Sequence, residues 1–165
     1  MKIIQIVGYK NSGKTTLSTK LIRIFIKKGF RTASLKHHGH GGVPLGIKET
    51  DSYKQQQAGA LFAGVEGDGV FQLIRKDGWN LEQLIAIYRI FDIDVLIIEG
   101  FKRENFPKIV LIQHEEELSL IKQLTNIIAV VSAVSIEESS NSFPIFSYDQ
   151  IDEVCQHCVE QYLVN

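Results

Sequence analysis

The stretch Gly8-Tyr9-Lys10-Asn11-Ser12-Gly13-Lys14-Thr15 decides how this chain folds, because it fits GxxxxGK[ST] and lies between a short apolar run and an amphipathic one. Before it, Lys2-Ile3-Ile4-Gln5-Ile6-Val7 is brief and β-branched, the composition of a buried strand. After it, residues 15–28 carry Leu17, Leu21, Ile22, Phe25 and Ile26 at helical intervals. The loop therefore turns a strand into a helix, the context in which this pattern binds phosphate.

In such a loop, successive backbone N–H groups face the β-phosphate of a nucleotide, and the positive end of the following helix dipole adds to the attraction. Gly8 and Gly13 can adopt positive φ without a Cβ clash, and they let the backbone approach phosphate oxygens closely. Lys14 is expected to reach the β- and γ-phosphates, and the Thr15 hydroxyl to ligate Mg²⁺.

Outward from the loop, Gly29 closes the helix and residues 31–36 read as a second strand, running into the glycine-rich loop Lys36-His37-His38-Gly39-His40-Gly41-Gly42. Residues 50–59 are polar and read as a short helix. Residues 60–65 and 70–74 are β-prone runs around Glu66-Gly67-Asp68-Gly69, an antiparallel hairpin on a four-residue turn. Asn80 caps an amphipathic helix through Tyr88, with Leu81, Leu84, Ile85 and Tyr88 on one side. Strands follow at 94–98, 108–113 and 126–131, the last after a helical stretch over 116–124. Alternating helices and fully apolar strands predict one α/β domain over residues 1–165. Its sheet is mainly parallel, with helices on both faces and ligands at the strands' carboxyl ends. The hairpin would be an antiparallel extension of the sheet or a platform for a partner.

The run Asp94-Val95-Leu96-Ile97-Ile98 ends in Glu99-Gly100-Phe101-Lys102, so Glu99 stands where a nucleoside triphosphatase places the carboxylate facing Mg²⁺. Asp94, about 16 Å back along the strand, cannot serve the same ion. Asp51 is a further candidate for the metal through water, or else a solvated residue at a helix start. His37, His38 and His40 with Lys36 cluster at the end of the second strand, where they could touch phosphate or a polar heterocycle, bind zinc, or stand in solvent. Lys102 and Arg103 repeat the pattern of cations at a strand's carboxyl end.

Composition sets bounds. The chain of 165 residues is 44% hydrophobic and 22% charged, ordinary for a soluble globular domain, and its net charge of -1 offers no global attraction to nucleic acid or anionic membrane. No apolar run approaches a bilayer span, and residues 3–7 are too few for a signal peptide, so the expected location is cytoplasmic. The only two cysteines fall in Cys155-Gln156-His157-Cys158. With Ile151, Val154, Val159 and Tyr162 they lie at helical intervals, which reads as the buried stripe of a helix rather than a metal or redox site.

Taken in order, residues 8–16, Leu35-Lys36-His37-His38-Gly39-His40, the Asp51-Ser52 pair with Ala58-Gly59-Ala60, and residues 94–102 ending Glu-Gly-Phe-Lys resemble the molybdopterin-guanine dinucleotide biosynthesis adapter proteins, the MobB family. The phosphate loop (Walker A motif) is widely shared, whereas the Lys-His-rich and Glu-Gly-Phe-Lys segments in combination are specific. The resemblance implies a P-loop fold and a homodimer that binds GTP with Mg²⁺ and hydrolyses it slowly. It also implies a separate guanylyltransferase partner that joins GMP to molybdopterin, with molybdopterin itself a further candidate ligand. Carried over by position, Gly8, Lys10, Asn11, Ser12, Gly13, Lys14, Thr15 and Thr16 would hold phosphates. Thr15 and Glu99, with Asp51, would manage Mg²⁺, Lys14 and Glu99 being the catalytic candidates, and Lys36, His37, His38, His40 and Lys102 would flank the site.

The Asn/Thr-Lys-x-Asp motif by which regulatory GTPases read guanine is missing after residues 130–131. Ser132 and nearby backbone would have to read the base, which counts against a switch GTPase. A small-molecule kinase or ligase using ATP is the alternative.

Overall fold

The computed structural model describes residues 1–39, 46–136 and 142–163, except for the side chains of residues 162 and 163. The chain runs β1 (Lys2–Val7), α1 (Lys14–Lys27), β2 (Thr32–Lys36), α2 (Asp51–Gln57), β3 (Phe62–Gly67), β4 (Val70–Arg75), α3 (Leu81–Arg89), β5 (Val95–Glu99), β6 (Lys108–Ile112), α4 (Ser119–Gln123), β7 (Ile127–Ser132), β8 (Ile145–Phe146) and α5 (Ile151–Leu163). Short 3₁₀ turns occupy Glu115–Leu118 and Tyr148–Gln150. The described residues form two compact units, one from Met1–His37 and Tyr88–Asn165 and the other from His38–Ile87.

In the first unit six strands make one parallel sheet, in the order β2-β5-β1-β6-β7-β8. Every residue of β5 and β6 is buried, as expected of parallel strands covered on both faces. On one face Ile4, Ile6, Ile97, Ile109 and Val131 pack with Leu17, Leu21 and Phe25 of α1 and with Val154, Cys155 and Cys158 of α5. On the other, Val7, Val110, Ile112 and Val130 pack with Leu120 of α4 and its neighbours Leu118 and Leu124.

Both cysteines are thus buried free thiols within an apolar cluster, and burial pushes Cys155 up to about 11 and Cys158 up to about 12. The helical stripe accounts for them; the side chain of Tyr162, placed on the same stripe, lies outside the described residues. No helix among the described residues is long and apolar enough to cross a membrane.

Helix α1 sets the pitch of the site, so its packing matters. Leu17, Leu21 and Phe25 recur at four-residue intervals and are fully buried. The helix ends where the Lys28 N–H turns back to the carbonyls of Ile24 and Phe25 and Gly29 takes φ 87. Phe25 also meets Phe30 edge to face at 6.5 Å between ring centroids. Phe25→Ala is expected to cost about 3–5 kcal/mol. Urea unfolding checks this, and a loss under about 1 kcal/mol would mean the helix is held elsewhere.

In the second unit β3 and β4 form a separate two-stranded antiparallel sheet. The ladder continues to the Gly67–Val70 pair, leaving only Asp68 (φ 52) and Gly69 (φ 77) in the turn. The connection is therefore a two-residue type I′ turn rather than the four-residue turn expected, because Glu66 and Gly67 stay in the ladder. The Arg75 guanidinium lies 5.8 Å from the Phe62 ring and 5.7 Å from that of Trp79. Val65, Val70 and Phe71 on this hairpin are exposed. Ahead of it, the Thr50 hydroxyl accepts the Tyr53 N–H at 3.2 Å, so Thr50 rather than Asp51 caps α2.

Two further departures concern short elements. The helical stretch over 116–124 divides into a 3₁₀ turn and α4, and β8, unforeseen from the sequence, pairs with β7 through only two residues.

Candidate nucleotide-binding site

The order of the sheet reverses around β1, with β5 on one side and β6 on the other, and ligands of such sheets sit outside the strands' carboxyl ends at that point. The loop 8–13 leaves β1 there. Asn11 (φ 63) and Gly13 (φ 84) hold the left-handed conformation, so of the two glycines able to adopt it only Gly13 does. Gly8 is needed for space: a Cβ there would lie 2.4 Å from Ser12 Oγ and 3.0 Å from the Leu111 carbonyl oxygen.

Gly13 opens α1 without any side-chain cap, and the first turn holds no acidic residue. The N–H groups at this helix end are thus left for an anion, reinforced by the helix dipole. Lys14 folds back over the loop, its ammonium donating to the Tyr9 carbonyl and to Ser12 Oγ at 3.3 Å. Burial, then the Lys102 ammonium, holds Lys14 below the usual lysine range; Lys36 adds to this, while Glu99 and Glu117 oppose it. A lysine so surrounded gains from an approaching phosphate. Lys10 and Thr16, on the loop and the first helical turn, are exposed.

Strand register brings the second half of the site to the loop. Glu99 lies opposite Ile6 of β1 and Lys36 of β2, on the sheet face that α1 covers. The Glu99 carboxylate, buried, accepts from Thr15 Oγ1 at 3.1 Å and from Ser18 Oγ. Lys36 Nζ stands 3.6 Å from Glu99 Oε2 and 3.3 Å from Thr15 Oγ1. An ammonium bridging a hydroxyl and a carboxylate is a stand-in cation, and these hard oxygen donors suit Mg²⁺.

Beyond Glu99 the chain takes two successive left-handed residues, Gly100 (φ 91) and Phe101 (φ 51). Gln5, fully buried, pins that turn by donating Nε2 to the carbonyls of Gly100 and Phe101 at 2.6 and 2.5 Å. The turn also meets β2's end. The His37 N–H donates to the Glu99 carbonyl at 2.9 Å, and its ring lies 4.5 Å from that of Phe101. A Cβ on Gly100 would stand 3.0 Å from that of His37. Lys102 then lies 3.8 Å over the Tyr9 ring, a cation–π contact at the rim of the loop. Burial holds Lys102 below the usual lysine range.

The structure therefore brings Gly8, Ser12, Gly13, Lys14, Thr15, Lys36, His37, Glu99 and Lys102 to one end of the sheet. Ser132 ends β7, and its hydroxyl donates to the Val134 carbonyl at 2.7 Å and accepts the Val134 N–H at 3.1 Å, closing its own turn. Asp51 and His38 belong to the second unit, where Asp51 pairs with Lys54 at 2.9 Å. His40 lies outside the described residues. Among those residues no three His, Cys, Asp or Glu side chains are grouped to hold a metal ion.

Sequence reasoning missed Gln5, Ser18 and Tyr148, whose hydroxyl donates to the Ser12 carbonyl at 3.1 Å. A signal existed for two of them: Gln5 is a polar residue inside an apolar strand, and Ser18 interrupts the apolar face of α1.

A phosphate loop between the first strand and first helix of a parallel sheet, with a buried carboxylate closing the neighbouring strand, defines the P-loop class of α/β proteins. Within it, the model of the family MobB, "Molybdopterin guanine dinucleotide synthesis protein B", matches residues 3–133, and the chain belongs to that family. A Bacillus subtilis (strain 168) relative, named "Probable molybdopterin-guanine dinucleotide biosynthesis adapter protein", is 43% identical over 132 residues, 78% of this chain and 75% of its own length. The crystal structure of a MobB protein homolog from Bacillus stearothermophilus superposes over 100% of both chains with TM-score 0.78 at 32% identity. That of Bacillus subtilis MobB covers 95% of this chain and 98% of its own, with TM-score 0.74 at 37% identity.

Proposed function

We propose that this chain is a cytoplasmic GTP-binding adapter that assists a separate guanylyltransferase in forming molybdopterin guanine dinucleotide. In this reading the whole chain acts as one nucleotide-binding domain, with the unit of His38–Ile87 inserted in sequence between β2 and the rest. The observation that carries it is the cluster of Thr15, Glu99 and Lys36 beside an uncapped helix N-terminus, a polar cation site adjoining an anion site. A triphosphate with its Mg²⁺ requires that pairing. Lys14 and the loop N–H groups would hold the β- and γ-phosphates, while Thr15 and Glu99 would hold the metal. Lys36, His37 and Lys102 would flank the phosphates.

The adapter role and the guanine base come from the family relatives' names. Because the Ser132 hydroxyl is engaged in its own turn, base reading falls largely to backbone groups after β7. Dimerisation through the exposed hairpin edges around Phe62 and Phe71 would pair β3 and β4 across a two-fold axis.

Calorimetric titration with GTP and ATP in Mg²⁺, beside a turnover assay, tests the reading. GTP should bind at least 10-fold tighter than ATP, about 1.4 kcal/mol. Hydrolysis should be on the order of one per minute or slower, without a phosphorylated acceptor. Equal affinities would remove the guanine assignment, and transfer to an added acceptor at about 1 per second or faster would make the protein a kinase.

A further inference from the structure

Tyr148 lies beyond residue 133, where the family match ends, yet it reaches the centre of the phosphate loop. Its place is fixed from behind. The Ser147 N–H and hydroxyl both donate to Gln150 Oε1, at 3.0 and 3.1 Å, and the Gln150 N–H returns to the Ser147 carbonyl at 3.1 Å. The Tyr148 ring packs against the apolar cluster between the sheet, α1 and α5. From there its hydroxyl donates to the Ser12 carbonyl at 3.1 Å, and its Cε1 stands 3.7 Å from where a Cβ on Gly13 would be.

The consequence follows from peptide geometry. The Ser12 carbonyl and the Gly13 N–H belong to one planar peptide, trans like every described peptide bond, and therefore point in opposite directions. A hydrogen bond holding the carbonyl on the Tyr148 side therefore turns the Gly13 N–H away from Tyr148. Gly13, left-handed and without a Cβ, leaves this peptide free to turn unless something holds it.

Resting on the reading of residues 8–15 as a nucleotide site, we propose that Tyr148 is a positioning residue for the phosphate loop, setting the Gly13 N–H toward the diphosphate portion of the bound nucleotide. Burial, with the Glu117 carboxylate nearby, pushes the phenol up to about 12, so the hydroxyl stays protonated and remains a donor at working pH. Preorganising one N–H of an anion nest spares the ligand that ordering cost.

The test is Tyr148→Phe in the full chain, which keeps the ring and removes the donor, with thermal unfolding to show that the fold is retained. GDP and GTP affinities should fall together by about 3- to 10-fold, the net worth of one hydrogen bond. In ¹H–¹⁵N spectra the Gly13 amide should move downfield when GDP binds the native protein, and by a clearly smaller amount in the variant. A folded variant with native GDP affinity overturns the proposal, as does weakened affinity with the full Gly13 shift, because the loss would then arise elsewhere. If the variant does not fold, Tyr148→Trp, which restores an aromatic ring with a misplaced donor, must show the same reduced shift, and a native shift there overturns the proposal. Native protein that binds neither GDP nor GTP overturns the nucleotide reading itself, and this inference with it.

Discussion

Lys14→Ala is expected to weaken GTP binding by roughly 30- to 700-fold, about 2–4 kcal/mol, the scale of truncating one member of a desolvated charge pair. The environment of Lys14 makes the effect large. Its ammonium is already partly desolvated and faces Lys102 and Lys36, so the protein carries local repulsion that Glu99 and Glu117 offset only in part and a bound anion relieves. In the free protein that ammonium is held by a carbonyl and a hydroxyl of the loop, not by a carboxylate. Removing it therefore breaks no ion pair among the described residues, and the fold should be nearly unaffected. Calorimetric titration alongside thermal unfolding separates the two. Affinity within about 3-fold of native, with the fold intact, would remove residues 8–15 as the nucleotide site.

Most of this site was legible because its parts are contiguous in sequence or sit where a regular element stops. Residues 8–15 carry their own signal, and Glu99 is conspicuous as an acidic residue closing an all-apolar run. What stayed hidden depends on partners far along the chain. Ser18 reads as a neutral residue on a helix, and only the register of β5 beside β1 brings Glu99 to it, 81 residues away. Tyr148 sits in a 3₁₀ turn of three residues, too short for any periodicity, and its partner is 136 residues distant. Gln5 passes in sequence as one residue of an apolar strand, whereas it anchors the strained turn after Glu99. Residue type allows positive φ at Gly8, but the backbone takes it at Asn11, a residue that tolerates it, and keeps glycine at position 8 where Ser12 and Leu111 leave no room.

Glu99→Gln is expected to abolish most of the dependence of GTP binding on Mg²⁺. The substitution keeps the shape of the side chain and its capacity to pair with Ser18 and Thr15, so only the charge changes. That charge has opposite effects on the two ligands: it attracts the metal and repels the phosphates. For unit charges on the order of 6–8 Å apart at an effective dielectric near 20 the repulsion is about 2–3 kcal/mol, and the attraction to a nearer divalent ion is larger. In EDTA the variant should therefore bind GTP as well as the native protein or better, the more so because Lys36, freed from its 3.6 Å pairing with Glu99, can turn to the phosphates. In Mg²⁺ the order reverses, and native protein should bind more tightly by roughly 10- to 100-fold. The crossing separates a metal-facing carboxylate from a structural one, since a residue that merely held α1 against β5 would weaken binding equally in both buffers. Parallel titrations at constant ionic strength decide between them, and equal losses with and without Mg²⁺ would make Glu99 a packing residue, leaving Lys36 as the cation of the site.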